Sequence, residues 1–155
     1  MTMRTVALLA TLAAAACSPR LIPGTPIPST ADNRAVYGVL RAYAEGLQAK
    51  DAAAVLAVVA PDYFDSAGTP QPEDDLDRAA LERALPADLA KVDSLRIQIA
   101  VKKIEVEGDR ARAELVYEGF YRVVTAEGTV PKRESNLNQM LLRRIGKDWK
   151  ITSGL

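Results

Sequence analysis

Residues 110–124 read Arg-Ala-Arg-Ala-Glu-Leu-Val-Tyr-Glu-Gly-Phe-Tyr-Arg-Val-Val, and this stretch decides the fold. Alternate positions carry small, apolar or aromatic residues, namely Ala111, Ala113, Leu115, Tyr117, Gly119, Tyr121 and Val123. The positions between them begin with charged residues, namely Arg110, Arg112 and Glu114. A period of two residues is typical of a strand whose two faces have different surroundings. We therefore predict one long strand here.

Three short turn sequences divide residues 95–155 into four strand-like runs. They are Glu107-Gly108-Asp109, Ala126-Glu127-Gly128 and Gly146-Lys147-Asp148. Glycine beside small or charged residues is typical of the tight loops that join antiparallel strands. The sequence therefore predicts a four-stranded antiparallel meander.

The first of these strands changes its buried face part-way along. Its apolar positions are Leu95, Ile97, Ile99 and Val101, followed by Ile104 and Val106. The two sets have opposite parity, so a regular strand cannot bury both on one face of a sheet. One extra residue restores the pattern, and we predict a β-bulge at Lys102-Lys103 that bends the sheet.

The chain before the meander is predicted to be mainly helical. A helix begins after Ser29 or Thr30 and continues for about five turns, because apolar residues recur at helical spacing. Asp51 is expected to cap a second helix that extends to Ala60, where Pro61 stops it. A third helix is expected over 76–85, with one further turn after Pro86 breaks it. A short strand, Tyr63-Phe64-Asp65, separates the second and third helices.

Composition restricts the chemistry available to the chain. The 155 residues contain 20 acidic and 20 basic side chains, so the zero net charge does not favour nucleic acid as a partner. The sequence has no histidine, which excludes Ser-His-Asp and Cys-His mechanisms and disfavours a zinc site. The acidic run Glu73-Asp74-Asp75 lacks the spacing and the glycine of a calcium loop. We expect neither a metal nor a cofactor.

The N-terminus carries an export signal. A positive charge at Arg4 precedes a mostly apolar run, residues 6–16, which is too short to span a bilayer. Small residues at 14–16 then precede Cys17, and at this point the chain resembles bacterial lipoproteins, although Ala14 stands where that family prefers leucine. The resemblance implies a signal peptide over 1–16 and acylation of Cys17, which would attach the protein to the lipid bilayer.

The same lipoprotein resemblance implies, from Ser18 in place of aspartate after the cysteine, attachment to the outer membrane with the domain facing the periplasm. The alternative is ordinary cleavage after an Ala-x-Ala site, which would leave Cys17 as a free thiol. Residues 17–29 contain four prolines and are interpreted as a semi-extended tether. The folded domain is expected to occupy residues 30–155.

Three further segments carry a second resemblance. Residues 43–51 read Tyr-Ala-Glu-Gly-Leu-Gln-Ala-Lys-Asp, residues 58–65 read Val-Val-Ala-Pro-Asp-Tyr-Phe-Asp, and residues 149–154 read Trp-Lys-Ile-Thr-Ser-Gly. The domain resembles the nuclear transport factor 2-like superfamily, which includes ketosteroid isomerase, scytalone dehydratase, limonene epoxide hydrolase and SnoaL-like cyclases. The resemblance implies a cone-shaped α+β fold with three N-terminal helices packed on a strongly bent antiparallel sheet.

The resemblance also implies a site between the first helix and the concave face of the sheet. Ketosteroid isomerase uses an aspartate base with a tyrosine and a protonated aspartate as oxyanion donors. By position, Tyr43 matches the tyrosine and Asp65 the base, while Asn136 or Asn138 stands where the second aspartate would be. The pocket residues expected on this basis are Tyr43, Tyr63, Tyr117, Tyr121, Asn136, Asn138 and Met140.

Structural roles for the same residues stay open at this point. Tyr43 can be a core residue on the apolar helix face, and Asp65 can be a turn residue before Ser66. Tyr117 and Tyr121 can fill a cavity rather than line one. Gly119, between them, is expected to mark a bend in the strand.

The opposite face of the long strand carries an apolar stripe of Val116, Phe120 and Val124, which predicts a homodimer contact. Our main functional hypothesis is a membrane-anchored periplasmic lipoprotein with a non-catalytic domain for small-ligand binding or interaction. One alternative, implied by the resemblance, is a proton-transfer or dehydration enzyme of the ketosteroid isomerase or SnoaL-like kind, with Asp65 as base and Tyr43 as oxyanion donor. The other is a dimeric scaffold or envelope assembly protein.

Overall fold

The structure is a computed structural model that describes residues 19–68 and 71–155, so the predicted signal peptide and Cys17 lie outside the described residues. The helices are α1 (Ala31–Gln48), α2 (Ala52–Ala57) and α3 (Arg78–Ala90), with a 3-10 turn at Pro72–Asp74. The strands are β1 (Phe64–Asp65), β2 (Leu76–Asp77), β3 (Val92–Glu107), β4 (Arg110–Thr125), β5 (Gly128–Ile145) and β6 (Asp148–Ser153). Within the described ranges, each helix is too short or too polar to span a lipid bilayer.

The four long strands form one antiparallel sheet in the order β3-β4-β5-β6, and the predicted meander is confirmed. The register shifts between Val101 and Lys103, which confirms the predicted bulge. β1 and β2 form a separate antiparallel pair. β5 has 18 residues but β6 has only six, and β6 pairs with β5 only over residues 141–145.

Helix α1 lies across the inner face of the sheet and is attached near both ends. At its start, the Thr30 hydroxyl caps the helix by accepting the Asn33 N–H at 3.1 Å. At its end, the Gln48 side-chain oxygen accepts the Ile97 N–H of β3 at 3.1 Å. Lys50 then adopts a φ of 55° and donates through Nζ to the Val92 carbonyl at 3.0 Å. These contacts align the apolar face of α1 with the sheet.

The core lies between α1 and the inner face of the sheet. The largest fully buried side chains are Ile27, Val36, Leu40, Val55, Tyr63, Leu115, Met140, Leu142 and Ile151. In β4 the buried positions are Ala111, Ala113, Leu115 and Gly119, which belong to the predicted apolar set. Burial of each large apolar side chain stabilises the fold by roughly 1.5–3 kcal/mol. The α+β architecture predicted from the sequence is therefore confirmed.

The second helix is shorter than predicted. It is capped by Asp51 as expected, but it ends at Ala57 rather than Ala60. The reason is a tertiary pairing, because the following residues run alongside β6. The Ile151 N–H donates to the Val58 carbonyl at 2.9 Å, and the Ala60 N–H donates to the Ile151 carbonyl at 2.8 Å.

The prediction that Pro86 breaks the third helix is wrong. The helix begins at Arg78, where Asp77 caps it, and continues through Pro86 to Ala90. Leu81 and Leu89 are buried on either side of the proline and hold both parts of the helix against the core. A proline removes one intrahelical hydrogen bond, and this packing offsets the loss.

The interpretation of residues 20–29 as an extended tether is also wrong. Ile22 and Ile27 are only 5% and 2% exposed and belong to the main core. The Ile22 N–H donates to the Ile27 carbonyl at 2.8 Å, and Leu21 forms a β-bridge with Pro28. Two isoleucines therefore fold this proline-rich stretch onto the domain. The separate assignment of residues 1–16 as a signal peptide stays a prediction.

After β6 the chain passes very close to β5. Gly154 has a φ of 96°, a conformation that residues with a side chain rarely adopt. A Cβ atom built there would collide with the backbone carbonyl oxygen of Gln139 and lie 2.9 Å from the Cα of Met140. This close approach requires glycine.

We predict that Ile27→Ala lowers the free energy of unfolding by about 2–5 kcal/mol, because it empties a buried core position. Leu21→Ala is the matched control in the same segment. Leu21 is 47% exposed, and its loss is expected to cost at most about 1 kcal/mol. Urea denaturation followed by tryptophan fluorescence measures both. Equal small effects would mean that residues 20–29 do not pack on the domain.

We predict that Gly154→Ala lowers the free energy of unfolding by at least about 2 kcal/mol, because both the backbone conformation and the contact with β5 become strained. Gly38→Ala is the control, since a Cβ atom at Gly38 meets nothing within 4 Å. Gly38 lies inside α1, so alanine there is expected to stabilise the protein by about 0.5–1 kcal/mol. Thermal unfolding by circular dichroism distinguishes the two. A stable Gly154→Ala variant would contradict the proximity of Gly154 to β5.

Candidate functional site

Three of the predicted pocket tyrosines converge beneath α1. Tyr43 comes from α1, Tyr117 from β4, and Tyr63 from the residue before β1. Burial raises the pKa of Tyr43, and the neighbouring hydroxyls of Tyr117 and Tyr63 raise it further. Burial also raises the pKa of Tyr63 and of Tyr117. The three phenols therefore stay protonated and neutral near pH 7, and they form a cluster of aromatic rings that carry hydroxyl groups.

Asp65 lies at the edge of this cluster, and both of its carboxylate oxygens accept hydrogen bonds from the protein. Oδ1 accepts the Ala67 N–H at 2.9 Å. Oδ2 accepts the Gly154 N–H at 2.6 Å and the Tyr63 hydroxyl at 3.3 Å. The Tyr63 oxygen in turn accepts the Leu155 N–H at 3.3 Å. Ala67 has a φ of 52°, so Asp65 also caps a tight turn.

Asn138 binds the same glycine from the other side. Its Nδ2 donates to the Gly154 carbonyl at 3.1 Å, and its Oδ1 accepts the Gln139 N–H at 3.0 Å. Asp65, Tyr63 and Asn138 therefore hold residues 154–155, and we call these three side chains the Gly154 clamp. Sequence reasoning selected all three residues but missed Gly154. The sequence indicates the close approach at Gly154 only by placing a glycine directly after the last strand.

Other predicted pocket residues lie apart from the clamp. Asn136 faces the same side as Tyr117, its register partner on β4, but is exposed. Met140 is 1% exposed and fills the core opposite Ala113. Tyr121 lies further along β4, and its hydroxyl donates to Glu134 at 2.5 Å. This hydrogen bond is the main reason that the pKa of Tyr121 rises to about 12.

Gly119 makes room for an aromatic ring. A Cβ atom at Gly119 would lie 2.8 Å from the Tyr117 hydroxyl oxygen, so the tyrosine side chain folds over the glycine. The register on both neighbouring strands continues through Gly119 without a shift. The side chain of Tyr117 therefore lies over Gly119 on the inner face of the sheet.

Three surface depressions of about 450, 610 and 390 Å³ lie away from the tyrosine cluster, and neither Tyr43 nor Asp65 lines any of them. The largest contains the Arg143–Asp62 ion pair, with nitrogen and oxygen 2.7 Å apart. Arg143 lowers the pKa of Asp62 by hydrogen bonding to its carboxylate. Over residues 19–68 and 71–155, no three Asp, Glu, Cys or His side chains are grouped as metal ligands.

The outer face of the sheet carries the predicted apolar stripe, which is partly exposed. Phe120 and Val124 are 38% and 55% exposed. The sequence analysis missed Leu137, which lies opposite Val116 and is 77% exposed. The Arg133 guanidinium lies 5.0 Å from the centre of the Phe120 ring. Exposed apolar groups beside a cation are available to a partner, and the predicted homodimer stays a prediction.

No protein-family model matches the sequence, and no curated protein matches it significantly. Solved structures do match the fold. The Kfla4162 protein of Kribbella flavida superposes with a TM-score of 0.68 at 14% identity, covering 79% of this chain and 87% of that one. A ketosteroid isomerase-like protein of Erwinia carotovora atroseptica superposes with a TM-score of 0.65 at 16% identity, and the match covers 81% of this chain and 94% of that one. A candidate dehydratase of the NTF2-like family from Streptomyces avermitilis superposes with a TM-score of 0.63 at 16% identity, and the match covers 79% of this chain and 93% of that one.

These structures share the three-dimensional arrangement with this chain but little of its sequence. Identities of 14–16% establish a common fold and leave activity undecided. The described domain has the order of elements that the sequence resemblance implied, with three helices before a curved antiparallel sheet. The protein therefore has the nuclear transport factor 2-like fold.

Proposed function

We propose that this protein is a lipid-anchored protein of the bacterial cell envelope, with a domain that acts in interaction rather than in catalysis. The observation that carries the proposal is the Gly154 clamp. Asp65 would be the general base of an isomerase-like site, but its two oxygens accept three hydrogen bonds from within the protein. A carboxylate used in this way supports the backbone and is not aimed at a substrate.

The other two positions of an isomerase-like site support the same proposal. Tyr43 is partly buried, packs against the core and lies near Tyr63 and Tyr117. Asn138 stands near the position of the second aspartate, and its amide donates to the Gly154 carbonyl. A substrate that hydrogen-bonded to Asp65 Oδ2 or to the Asn138 amide would have to compete with Gly154 for these atoms. The catalytic alternative therefore requires a movement that breaks several hydrogen bonds.

A small apolar ligand is the second candidate, and the tyrosine cluster favours it. Three aromatic rings with polar tips meet between α1 and β4, which is the kind of lining that apolar ligands with one polar group prefer. Some neighbours of similar fold are named for a dehydratase or a ketosteroid isomerase. Those names describe the neighbours only. In this protein, a ligand of the tyrosine cluster would have to enter beside Tyr43.

The proposed anchor rests on the sequence before the described domain. An apolar run of residues 6–16 leads directly to the single cysteine, Cys17, and Ser18 follows it. Acyl chains on Cys17 would hold the domain at the outer membrane, facing the periplasm. Because Ile22 and Ile27 pack in the core, only about four residues would separate Cys17 from the folded domain. The domain would therefore lie close to the bilayer.

We predict that Cys17→Ser moves the protein from the membrane fraction to the soluble periplasmic fraction of an expressing bacterium. Intact mass spectrometry of the wild type should give the mass of a chain that begins at Cys17 and carries acyl groups. Ser18→Ala is the control and should remain in the membrane fraction. A wild-type chain that is soluble and unmodified would exclude the anchor.

We predict that Asp65→Asn lowers the free energy of unfolding by about 1–3 kcal/mol, because an amide replaces a carboxylate that accepts three hydrogen bonds. Asp62→Asn is the matched control. Asp62 forms an exposed ion pair, and its loss is expected to cost at most about 1 kcal/mol. Chemical denaturation measures both variants. An Asp65→Asn protein of wild-type stability would show that the carboxylate is not structural and would favour the enzyme.

Native mass spectrometry of the complete chain, released gently from membranes, tests the ligand alternative. We expect the mass of the acylated polypeptide without a retained small molecule. A retained compound that disappears in Tyr43→Phe, while remaining in the control Tyr37→Phe, would overturn the interaction proposal in favour of ligand binding.

A further inference from the structure

The first half of β5 is an open sheet edge. Strand β6 covers β5 only over residues 141–145, and no described strand pairs with the outer side of residues 128–140. All residues from 128 to 137 are exposed. An unpaired edge of this length offers backbone hydrogen bonds to another extended chain.

The direction of the open backbone groups follows from Gly154. The carbonyl of Gln139 points away from β4, because it faces Gly154 beyond the edge. Alternate residues of a strand direct their N–H and C=O groups to the same side. Leu137, Ser135 and Arg133 therefore direct theirs outward as well. The Asn138 side chain accepts the Gln139 N–H, so the stretch of unpaired backbone groups on this edge ends before Gln139.

The side chains along this edge are basic. Lys132 and Arg133 are adjacent and therefore lie on opposite faces of the sheet. On neighbouring strands, Arg96 and Arg122 lie on the same outer face as Arg133. In the described parts of the chain, Arg96, Arg122 and Lys132 form no ion pair. These cations are available to an acidic partner.

Two nearby acids offset part of this charge, but among the described residues they leave Arg96, Arg122 and Lys132 without an ion pair. Glu134 accepts the Tyr121 hydroxyl, and Glu118 lies 3.7 Å from Arg133. A depression of about 450 Å³ lies at the same end of the sheet, where Arg96, Phe120, Arg122, Pro131 and Arg133 contribute to its lining. An apolar floor with a basic rim suits an acidic chain that also carries an apolar residue.

We propose that the β5 edge from Arg133 to Leu137 binds an extended acidic segment of another protein, which adds to the sheet as a fifth strand. The segment would place acidic side chains opposite Lys132 and Arg133 and an apolar side chain opposite Leu137. This proposal rests on the proposed interaction role and names its surface and its partner's chemistry.

A second copy of the chain fits this edge less well. It would bring the same cations to the contact, whereas an acidic strand neutralises them. Proline and lysine on an edge strand are typical devices against pairing between identical edges, and here they occur at Pro131 and Lys132. These residues therefore select against self-association while leaving the backbone groups of Arg133, Ser135 and Leu137 free.

The test uses the protein as it is released gently from membranes, together with a labelled probe peptide, Thr-Val-Thr-Thr-Thr-Glu-Glu-Thr. In an antiparallel arrangement its valine lies opposite Leu137 and its two glutamates opposite Arg133 and Lys132. Fluorescence anisotropy should show saturable binding. A peptide with lysine in place of both glutamates should bind at least about tenfold more weakly, because the pairs become repulsive. N-methylation of the peptide nitrogens that face β5, which are those of its second, fourth and sixth residues, should abolish binding.

Two variants locate the contact on the protein. The double variant Lys132→Glu and Arg133→Glu should weaken binding of the acidic peptide by at least about tenfold. The double variant Arg110→Glu and Arg112→Glu makes the same change in net charge at the other end of β4 and should leave binding nearly unchanged. Ser135→Pro removes an outward N–H that the sheet does not use, so the variant should fold and lose binding.

Several outcomes would overturn the proposal. They are absence of binding, equal binding of the acidic and basic peptides, and equal binding of the N-methylated peptide. A dimer in analytical ultracentrifugation that Ser135→Pro dissociates would assign the edge to a second copy instead. If the peptide does not bind while Asp65→Asn is destabilised as predicted, the proposed interaction role is retained and only its assignment to the β5 edge is wrong. A retained ligand or measured turnover would instead overturn the proposed function.

Discussion

The packing of α1 on the inner face of the bent sheet is the interaction on which the rest of the structure depends. Val36 and Leu40 of α1 are completely buried, as is Leu115 of β4. The bulge at 101–103 changes the parity of β3, which allows apolar residues along its whole length to face the same core. This burial of apolar surface stabilises the curvature of the long strands around one helix.

The same packing explains why polar residues of the inner face serve the backbone. The chain beyond β6 passes so close to β5 that only glycine fits, and its N–H and C=O groups are partly shielded from water. Buried backbone groups need partners. Asp65 supplies an acceptor for the Gly154 N–H, and Asn138 supplies a donor for its carbonyl. Residue types that perform proton transfer elsewhere can therefore be retained for structure, and the fold alone does not assign them a reaction.

The difference in length between β5 and β6 has a consequence on the other side of the molecule. A strand of 18 residues beside one of six leaves backbone groups uncovered over many residues. Leu137 and Phe120 are exposed on the outer face of the same part of the sheet. The acidic side chains of the chain concentrate in residues 62–93, whereas Lys132 and Arg133 lie on this open edge. Charge and backbone geometry therefore coincide at one surface.

The sequence by itself determined the elements whose signals are local. Alternation predicted β4, the parity change predicted the bulge, and short polar side chains predicted the caps at Thr30 and Asp51. The resemblance read from the sequence also selected Tyr43, Tyr63 and Tyr117, which the fold brings near one another.

Only the tertiary structure decided the features that depend on contacts between distant residues. Pairing with β6 ends α2 at Ala57, and core packing carries α3 through Pro86. Two isoleucines fold residues 20–29 onto the core, and the proximity of Gly154 to β5 gives Asp65 its structural role. Local sequence patterns report the preferences of neighbouring residues. They do not report which distant backbone groups will be buried together and require a partner.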